Sequence, residues 1–509
     1  MKKLHERAAS VTRPPGAPAH ADVCLSSRWH HPSNQDDPHD TFRAASAFHA
    51  TRLDWVYFSP KDPVILRGAH SRNYTLGGAV SSKVPEAPTA AVAEPLGARR
   101  LDDEPVVAPW KRTWTGSNRI WGCVNNPEYV KAHHNFAKQM VEAGADRLHR
   151  DEPRGNLMCV PWGGCFCEHC VRKFRRYLAD NISTSEREEL GIDDLESYDC
   201  ADHFRQLGAP AGDDFADWEG GRLKELFIDF QRQSTIKFHR GLREAVNESA
   251  DALIPWSCNN CGGNYEWDEL HSIFDFAIGE VYDVRNGGAW IWNTACAARE
   301  NDKAQVFTVA EPDLELNRRV IATSYACGAH TIVPWDVYTG SESPRLYGCP
   351  EDYADLYGFV RANGPLLNGY AEVAAAGPDI PQADGVLRLE SGGSPAWAFA
   401  RVVPGWVEAP VVIHVVDWSE DSKPVHVAIR KETLPEGKAP SWASLRLPMP
   451  YEKQVHQLAE QAGQFQKLVS ETELDVEENS GEVMLTIPSV SPWGIAVLSW
   501  AGYFMNPTA

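Results

Sequence analysis

The sequence predicts a (β/α)₈ TIM barrel followed by a C-terminal antiparallel β-sandwich. Short apolar runs alternate with helical stretches from residue 22 to about residue 370, which is the pattern of a parallel sheet. After residue 370 the pattern becomes one of alternating strands, and 509 residues exceed a single core. We therefore assign residues 22–370 to the barrel and 380–509 to the sandwich, and we expect residues 1–21 to be disordered.

Eight apolar runs are the candidate barrel strands, and seven amphipathic stretches are the candidate helices. The predicted strands are Val23–Ser27, Leu53–Phe58, Leu76–Ser81, Ala145–His149, Leu253–Cys258, Phe276–Val281, Gln305–Ala310 and His330–Pro334. The predicted helices are Asp40–His49, Pro127–Ala143, Cys170–Asn181, Leu223–Ser249, Ala289–Arg299, Leu314–Cys327 and Tyr353–Leu367. No glycine-rich phosphate turn follows the first strand, which disfavours a doubly wound sheet. Loops 83–120 and 182–222 are long enough to indicate function or a cover over a site.

Charge and composition limit the possible partners. A formal net charge of −21 argues against nucleic acid and anionic membrane surfaces. No stretch approaches the roughly 20 apolar residues of a membrane helix, and the first residues lack the apolar core of a secretory signal. The 12 cysteines are scattered through a large chain, which favours a reducing compartment. The sequence thus predicts a cytoplasmic protein.

Polar residues follow most of the predicted strands, where a TIM barrel places its active site. They are Arg28, Trp29, His30, Asp151, Glu152, Asn259, Glu280, Tyr282, Glu311, Trp335 and Asp336. Carboxylates, amides and aromatic rings without a nucleotide motif are typical of a glycosidase, because glycoside hydrolysis needs two carboxyl groups. The pair Asp151-Glu152 and Glu311 are the preferred catalytic candidates, and the others are candidate substrate contacts. The structural alternatives are that the Asp151-Glu152 pair caps the following loop or forms an ion pair with Arg154.

Three cysteines within six residues, Cys165, Cys167 and Cys170, indicate a metal site. Structural zinc is held by four ligands in a tetrahedron, so a fourth ligand must come from elsewhere in the chain. The candidates are Cys123, Cys159, Cys258 and Cys261. The alternative is a set of free, buried cysteines in a reduced protein.

Three segments resemble clan A glycoside hydrolases, most closely the family 42 β-galactosidase group. Residues 122–129, GCVNNPEY, resemble the C-x-N-x-P-x-Y segment of that family, and residues 165–170, CFCEHC, are similar to its C-Y-C-x-x-C run. Residues 150–153, RDEP, stand where the N-E-Y-G motif carries the acid/base. The resemblance covers roughly residues 22–370. It implies that Glu152 is the acid/base, that Glu311 is the nucleophile, and that Cys123, Cys165, Cys167 and Cys170 bind structural zinc.

One departure from the family pattern falls on the acidic pair. The asparagine that precedes the acid/base in the family is Asp151 here, which indicates a different sugar at the cleavage subsite or a shift of the acid role onto Asp151. We predict a retaining hydrolase of an oligo- or polysaccharide, with no organic cofactor and possible assembly into a homo-oligomer. The alternatives are a carbohydrate lyase or epimerase with Glu280, His30 or Tyr282 as base, and a non-catalytic carbohydrate-binding barrel.

Overall fold

The computed structural model describes most of the chain. The described residues are 2–26, 40–260, 267–281, 287–309, 311–337, 346–381, 385–479 and 481–501. Four predicted substrate contacts, Arg28, Trp29, His30 and Tyr282, therefore lie outside the described residues, as does Cys261.

The first eight strands form one parallel sheet in sequence order, and a bridge between Cys24 and Ile332 joins its two edges. This is a closed (β/α)₈ barrel, so the predicted fold class is confirmed. Each observed strand falls within or beside a predicted run. The strands are β1 Cys24–Leu25, β2 Arg52–Val56, β3 Thr75–Val80, β4 Arg147–Arg150, β5 Trp256–Cys258, β6 Phe276–Val281, β7 Gln305–Val309 and β8 His330–Thr331.

Helices surround the barrel and fill its longer loops. None of the helices in the described ranges has both the length and the apolar character that crossing a membrane requires. The α-helices are α1 Leu4–Arg7, α2 Thr41–Ala47, α3 Val64–His70, α4 Ala90–Ala93, α5 Pro127–Glu142, α6 Gly155–Cys159, α7 Glu168–Asn181, α8 Thr184–Glu189, α9 Cys200–Gln206, α10 Gly221–Ala250, α11 Gly288–Glu300, α12 Leu314–Ala326, α13 Pro350–Ala362, α14 Gly364–Leu367 and α15 Lys453–Ala462.

Two antiparallel sheets form the C-terminal sandwich, as predicted. One has six strands in the order β11-β13-β14-β20-β16-β17, and the other has four in the order β12-β15-β19-β18. A short hairpin of β9 Asp336–Val337 and β10 Leu346–Tyr347 precedes them. The sandwich strands are β11 Ala371–Ala376, β12 Leu387–Glu390, β13 Ala396–Val402, β14 Val411–Asp417, β15 Val425–Arg430, β16 Trp442–Pro448, β17 Val469–Glu473, β18 Val476–Asn479, β19 Glu482–Ile487 and β20 Trp493–Ser499.

The six-stranded sheet packs against barrel helices α11 to α13. The indole of Trp493 on β20 lies 4.9 Å from the Phe359 ring on α13, centroid to centroid. The Glu372 carboxylate on β11 accepts a hydrogen bond of 2.7 Å from the Trp292 indole and lies 3.3 Å from the Arg299 guanidinium. Apolar packing and a charged contact together fix the sandwich on the side of the barrel.

The N-terminal segment is packed, which corrects the expectation of disorder for residues 1–21. Leu4 is fully buried in the sandwich core, and Ala17 is fully buried among the residues that fill the barrel. Arg52 donates a hydrogen bond of 2.7 Å to the Gly16 carbonyl. Gly16 has φ +68°, and a Cβ there would lie 2.4 Å from Cβ of Pro255, so the close approach requires glycine. Composition indicated disorder because it cannot report contacts that distant segments supply.

A second hydrophobic core lies outside the barrel, in the loops after β3 and β4. It joins residues 98–123 to residues 159–230, and we call these two ranges the cysteine module. Phe166 and Phe227 stack at its centre, with ring centroids 4.6 Å apart and planes 3° from parallel. The long loops predicted at 83–120 and 182–222 are therefore largely parts of one folded unit.

Candidate functional site

Asp151 follows the last residue of β4 and points its carboxylate toward the neighbouring strand ends. It accepts hydrogen bonds from the Tyr57 hydroxyl at 2.6 Å, the Asn259 amide at 3.0 Å and the Glu152 backbone N–H at 2.8 Å. Both carboxylate oxygens thus serve as hydrogen-bond acceptors at the carboxyl end of the barrel.

A second carboxylate, that of Glu280 on β6, lies beside the first. The Asn259 Nδ2 that donates to Oδ1 of Asp151 at 3.0 Å also donates to Oε2 of Glu280 at 3.4 Å. Since both oxygens contact one nitrogen, the two carboxylates lie next to the same Asn259 amide. Strands β4, β5 and β6 are neighbours in the sheet and bring the three side chains together.

Tyr57 is a site residue that the sequence predictions missed. It follows the observed end of β2 but lies inside the predicted strand Leu53–Phe58, and no candidate was proposed for that strand end. Burial, followed by the charge of Asp151, raises the pKa of the Tyr57 phenol well above its usual range. The phenol therefore stays protonated and remains a donor to Asp151.

Glu152, the residue after Asp151, lies in a buried ion pair. Its backbone is left-handed, with φ +54°, and its Oε2 accepts a hydrogen bond of 3.0 Å from the Ser82 N–H. Its Oε1 lies 2.6 Å from Nζ of Lys111, and the two side chains are 9% and 4% exposed. The structure thus brings Asp151 to Asn259 and Glu280, and Glu152 to Lys111 of the cysteine module.

The remaining predicted residues lie at strands β7 and β8. The Glu311 carboxylate, two residues past β7, accepts a hydrogen bond of 3.1 Å from the Asp313 N–H, next to the start of α12. Trp335 is only 3% exposed and donates its indole N–H to the Ser26 carbonyl at 2.9 Å. It therefore belongs to the barrel wall rather than to an open stacking platform, and Asp336 beside it is 8% exposed.

A layer of buried polar residues supports the strand ends from inside the barrel. The His149 ring lies 4.3 Å from the Trp55 ring, and its Nδ1 lies 2.9 Å from the Ser257 hydroxyl. Asn260 and Gln305 exchange two hydrogen bonds, at 2.9 and 3.2 Å. Because these side chains satisfy one another, Asn259 is held in a fixed position between the two carboxylates.

Four cysteines come together where the cysteine module meets α5. The thiols of Cys123, Cys165, Cys167 and Cys170 all lie within 4.8 Å of one another, and the Cys123 sulfur lies 3.5 Å from those of Cys167 and Cys170. A tetrahedral zinc with Zn–S bonds of about 2.3 Å requires sulfurs about 3.8 Å apart, so the spacing fits zinc. The cysteines of the described ranges form no disulfide.

Two asparagines complete the surroundings of the four thiols. The Asn156 amide donates to the sulfurs of Cys123 and Cys170 at 3.4 Å, and the Asn125 amide donates to that of Cys170 at 3.4 Å. Such donors stabilise metal-bound thiolates and orient them. Cys159 and Cys258, the other described candidates for the fourth ligand, lie outside this group.

Comparison with known proteins gives distant relatives and a shared fold. No family model matches the chain. It is 22% identical to an α-agarase from Thalassotalea agarivorans over 416 residues, which are 72% of this chain and 27% of that protein. It is 23% identical to an α-agarase from Alteromonas agarilytica over 286 residues, which are 52% of this chain and 20% of that protein. The chain thus matches only about a quarter of the length of these relatives.

A solved structure with the same architecture is an α-L-fucosidase, isoenzyme 2, from Paenibacillus thiaminolyticus. The TM-score is 0.53 at 12% identity, and the match covers 95% of this chain and all of that one. At this identity the likeness shows the fold alone, a barrel followed by a β-sandwich. Membership of family 42 stays a prediction.

Proposed function

We propose that the protein is a glycoside hydrolase whose catalytic carboxylates are Asp151 and Glu280. The observation that carries the proposal is the Asn259 amide after β5, which contacts both carboxylates, one just after β4 and one on β6. Hydrolysis of a glycosidic bond uses two carboxyl groups on either side of that bond. The relatives named α-agarase support a carbohydrate substrate and make agarose the first polysaccharide to test.

We assign the roles from the hydrogen bonds of the two carboxylates. Asp151 accepts from three donors that hold its oxygens in place, and it acts as the nucleophile on the anomeric carbon. Glu280 protonates the leaving oxygen as the glycosidic bond breaks and the bond to Asp151 forms. Glu280 then takes a proton from water, whose oxygen displaces Asp151 and releases the sugar. Two successive displacements at the anomeric carbon retain its configuration.

The resemblance to family 42 gives the rival assignment, with Glu152 as acid/base and Glu311 as nucleophile. Glu152 would have to leave Lys111 to reach a substrate, and a buried charge without its partner is costly. The assignment to Asp151 and Glu280 requires no such rearrangement. It differs from the shift of the acid role onto Asp151 that the RDEP segment raised, because here Asp151 is the nucleophile and Glu280 is the acid.

Four variants separate the two assignments: Asp151→Asn, Glu280→Gln, Glu152→Gln and Glu311→Gln. They are assayed on agarose, other polysaccharides and chromogenic glycosides. We expect Asp151→Asn and Glu280→Gln to lower kcat about a thousandfold or more, and azide to restore turnover in Asp151→Asn by replacing the nucleophile. Full activity of Asp151→Asn, with loss in Glu311→Gln, would establish the rival pair.

Proton NMR of the first anomer formed tests retention, and an unsaturated product would indicate a lyase.

We also propose that Cys123, Cys165, Cys167 and Cys170 bind one structural zinc ion. Four thiolates leave no open coordination position, so the ion would hold the cysteine module to the start of α5 and take no part in the reaction. Elemental analysis should find about one zinc per chain, and Cys170→Ser should lower that content. Cys349→Ser, at an exposed thiol outside the cluster, is the matched control. A fully folded protein free of metal would contradict the proposal.

A further inference from the structure

We propose that Trp110 and Trp114 form a sugar-stacking subsite beside the carboxylate pair, so that the substrate is an extended polysaccharide rather than a small glycoside. The inference rests on the proposed function and adds a class of substrate to it. Both residues belong to the cysteine module, on the loop between β3 and α5. Nothing in the proposed reaction itself requires either side chain.

A single buried lysine places the two indoles close to the catalytic strand end. Residues Pro109–Lys111 form one 3₁₀ turn, in which Lys111 points inward and Trp110 points outward with 42% of its surface exposed. The Lys111 ammonium lies 2.6 Å from Glu152, the residue that follows Asp151 in sequence. The same ammonium lies 5.6 Å from the centre of the Trp114 ring.

The exposed indole is also held in one orientation. The Trp110 ring makes edge-to-face contacts with Trp162 at 5.3 Å and with Trp121 at 6.2 Å, and both of these rings are buried. The Trp121 indole N–H donates to the Gly155 carbonyl at 3.1 Å, which anchors the cluster to helix α6. A rigid aromatic face loses little entropy when a ligand packs on it, which favours stacking on the apolar face of a sugar ring.

Polar groups lie near Asp151 and on the loop that carries the two indoles. Nζ of Lys83 lies 5.8 Å from the centre of the Tyr57 ring, and the Tyr57 hydroxyl donates to Asp151. The same ammonium lies 3.4 Å from Oδ1 of Asn118, four residues after Trp114. Lys83 and Asn118 can therefore bind sugar hydroxyls between the cleavage point and the stacking subsite, and a chain of several sugars would contact both ends.

Affinity electrophoresis tests the subsite without requiring turnover. The Asp151→Asn protein is run in native gels that contain agarose, a xylan or a mixed-linkage glucan, and the Kd for each polysaccharide is obtained from the retardation. We expect at least one polysaccharide to retard it, and Trp110→Ala to raise the Kd at least tenfold. Trp110→Phe, which keeps an aromatic face, should stay within about threefold of the parent.

Trp406→Ala is the matched control, because Trp406 is 51% exposed and lies on a sandwich loop. Its Kd should stay within about twofold of the parent. The inference is overturned if no polysaccharide retards the parent, if Trp110→Ala binds as the parent does, or if both alanine variants lose binding equally.

Because binding is measured separately from hydrolysis, Trp110-dependent binding without any turnover would contradict the proposed function alone. Hydrolysis of a polysaccharide that does not depend on Trp110 would contradict the subsite alone.

Discussion

At the scale of single residues, Glu152 and Lys111 form an ion pair in which both side chains are buried. Removing one partner of such a pair leaves a buried charge, which typically costs about 3–5 kcal/mol. We expect Lys111→Met to lower the free energy of unfolding by that amount, measured with urea. Adding Glu152→Gln should restore part of the loss, since glutamine is neutral and can still accept from the Ser82 N–H. A double variant no more stable than Lys111→Met alone would mean that the charge of Glu152 is not the cause.

The hydrogen bond from Tyr57 to Asp151 gives a second residue-scale prediction. Tyr57→Phe removes one of the three donors that stabilise the nucleophile, so we expect kcat to fall about 10–100-fold, with a smaller change in KM. Tyr177→Phe is the matched control, because Tyr177 donates to Asp229 at the same distance of 2.6 Å on the cysteine module. Equal losses in the two variants would indicate a general effect on folding.

The acidic pair also shows which features of the candidate site could be predicted from the sequence and which could not. The pattern placed two acids directly after β4, because a short buried strand and the residues that follow it are local features. Which acid faces the site depends on the left-handed backbone at Glu152 and on Lys111, a partner far upstream in the chain. Neither feature leaves a local signal, so family likeness was the only guide to Glu152.

At the scale of elements, the cysteine cluster joins α5 to α7, because Cys123 lies just before the first helix and Cys170 in the first turn of the second. We expect a zinc chelator to loosen the cysteine module while the barrel stays folded. Limited trypsin digestion should then cleave within residues 98–123 and 159–230, and added zinc should restore resistance. Cleavage spread evenly over the chain would contradict a local role for the metal.

Spacing explains why the group of four cysteines was predictable and the module was not. Three of the cysteines lie within six residues, and the fourth belongs to a motif before α5 that the family likeness pointed to. The module itself depends on contacts such as that between Phe166 and Phe227, which are far apart in sequence. Periodicity reports one element at a time, so the two long loops appeared as separate insertions.

At the scale of the whole molecule, buried histidines link folding to pH. His456 on α15 lies 2.8 Å from Nε2 of His49 in the barrel, and burial, followed by the nearby His49, lowers the His456 pKa from 6.5 to about 4. Burial likewise lowers the pKa of His330 to about 4. Both rings bind a proton more weakly in the folded chain than in the unfolded one. Their stabilising contribution is therefore complete above pH 6.5 and is lost as the pH falls toward 4.

We expect the Tm to fall between pH 6.5 and 4, and His456→Phe to reduce that dependence by about 2–4 °C. Scanning calorimetry over this range measures both effects. His426→Phe, at an exposed ring on β15, is the control and should leave the curve unchanged. A Tm that rises on acidification would contradict the direction argued from the lowered pKa values.

The packed N-terminal segment has a consequence for biosynthesis. Leu4 fills part of the sandwich core, yet the strands that surround it leave the ribosome only after the whole barrel has been made. The segment around Leu4 therefore has no core to pack into while the barrel folds next to it. A sandwich expressed without this segment would have a cavity in its core at the position of the Leu4 side chain. The sandwich thus depends on residues that are translated before the barrel.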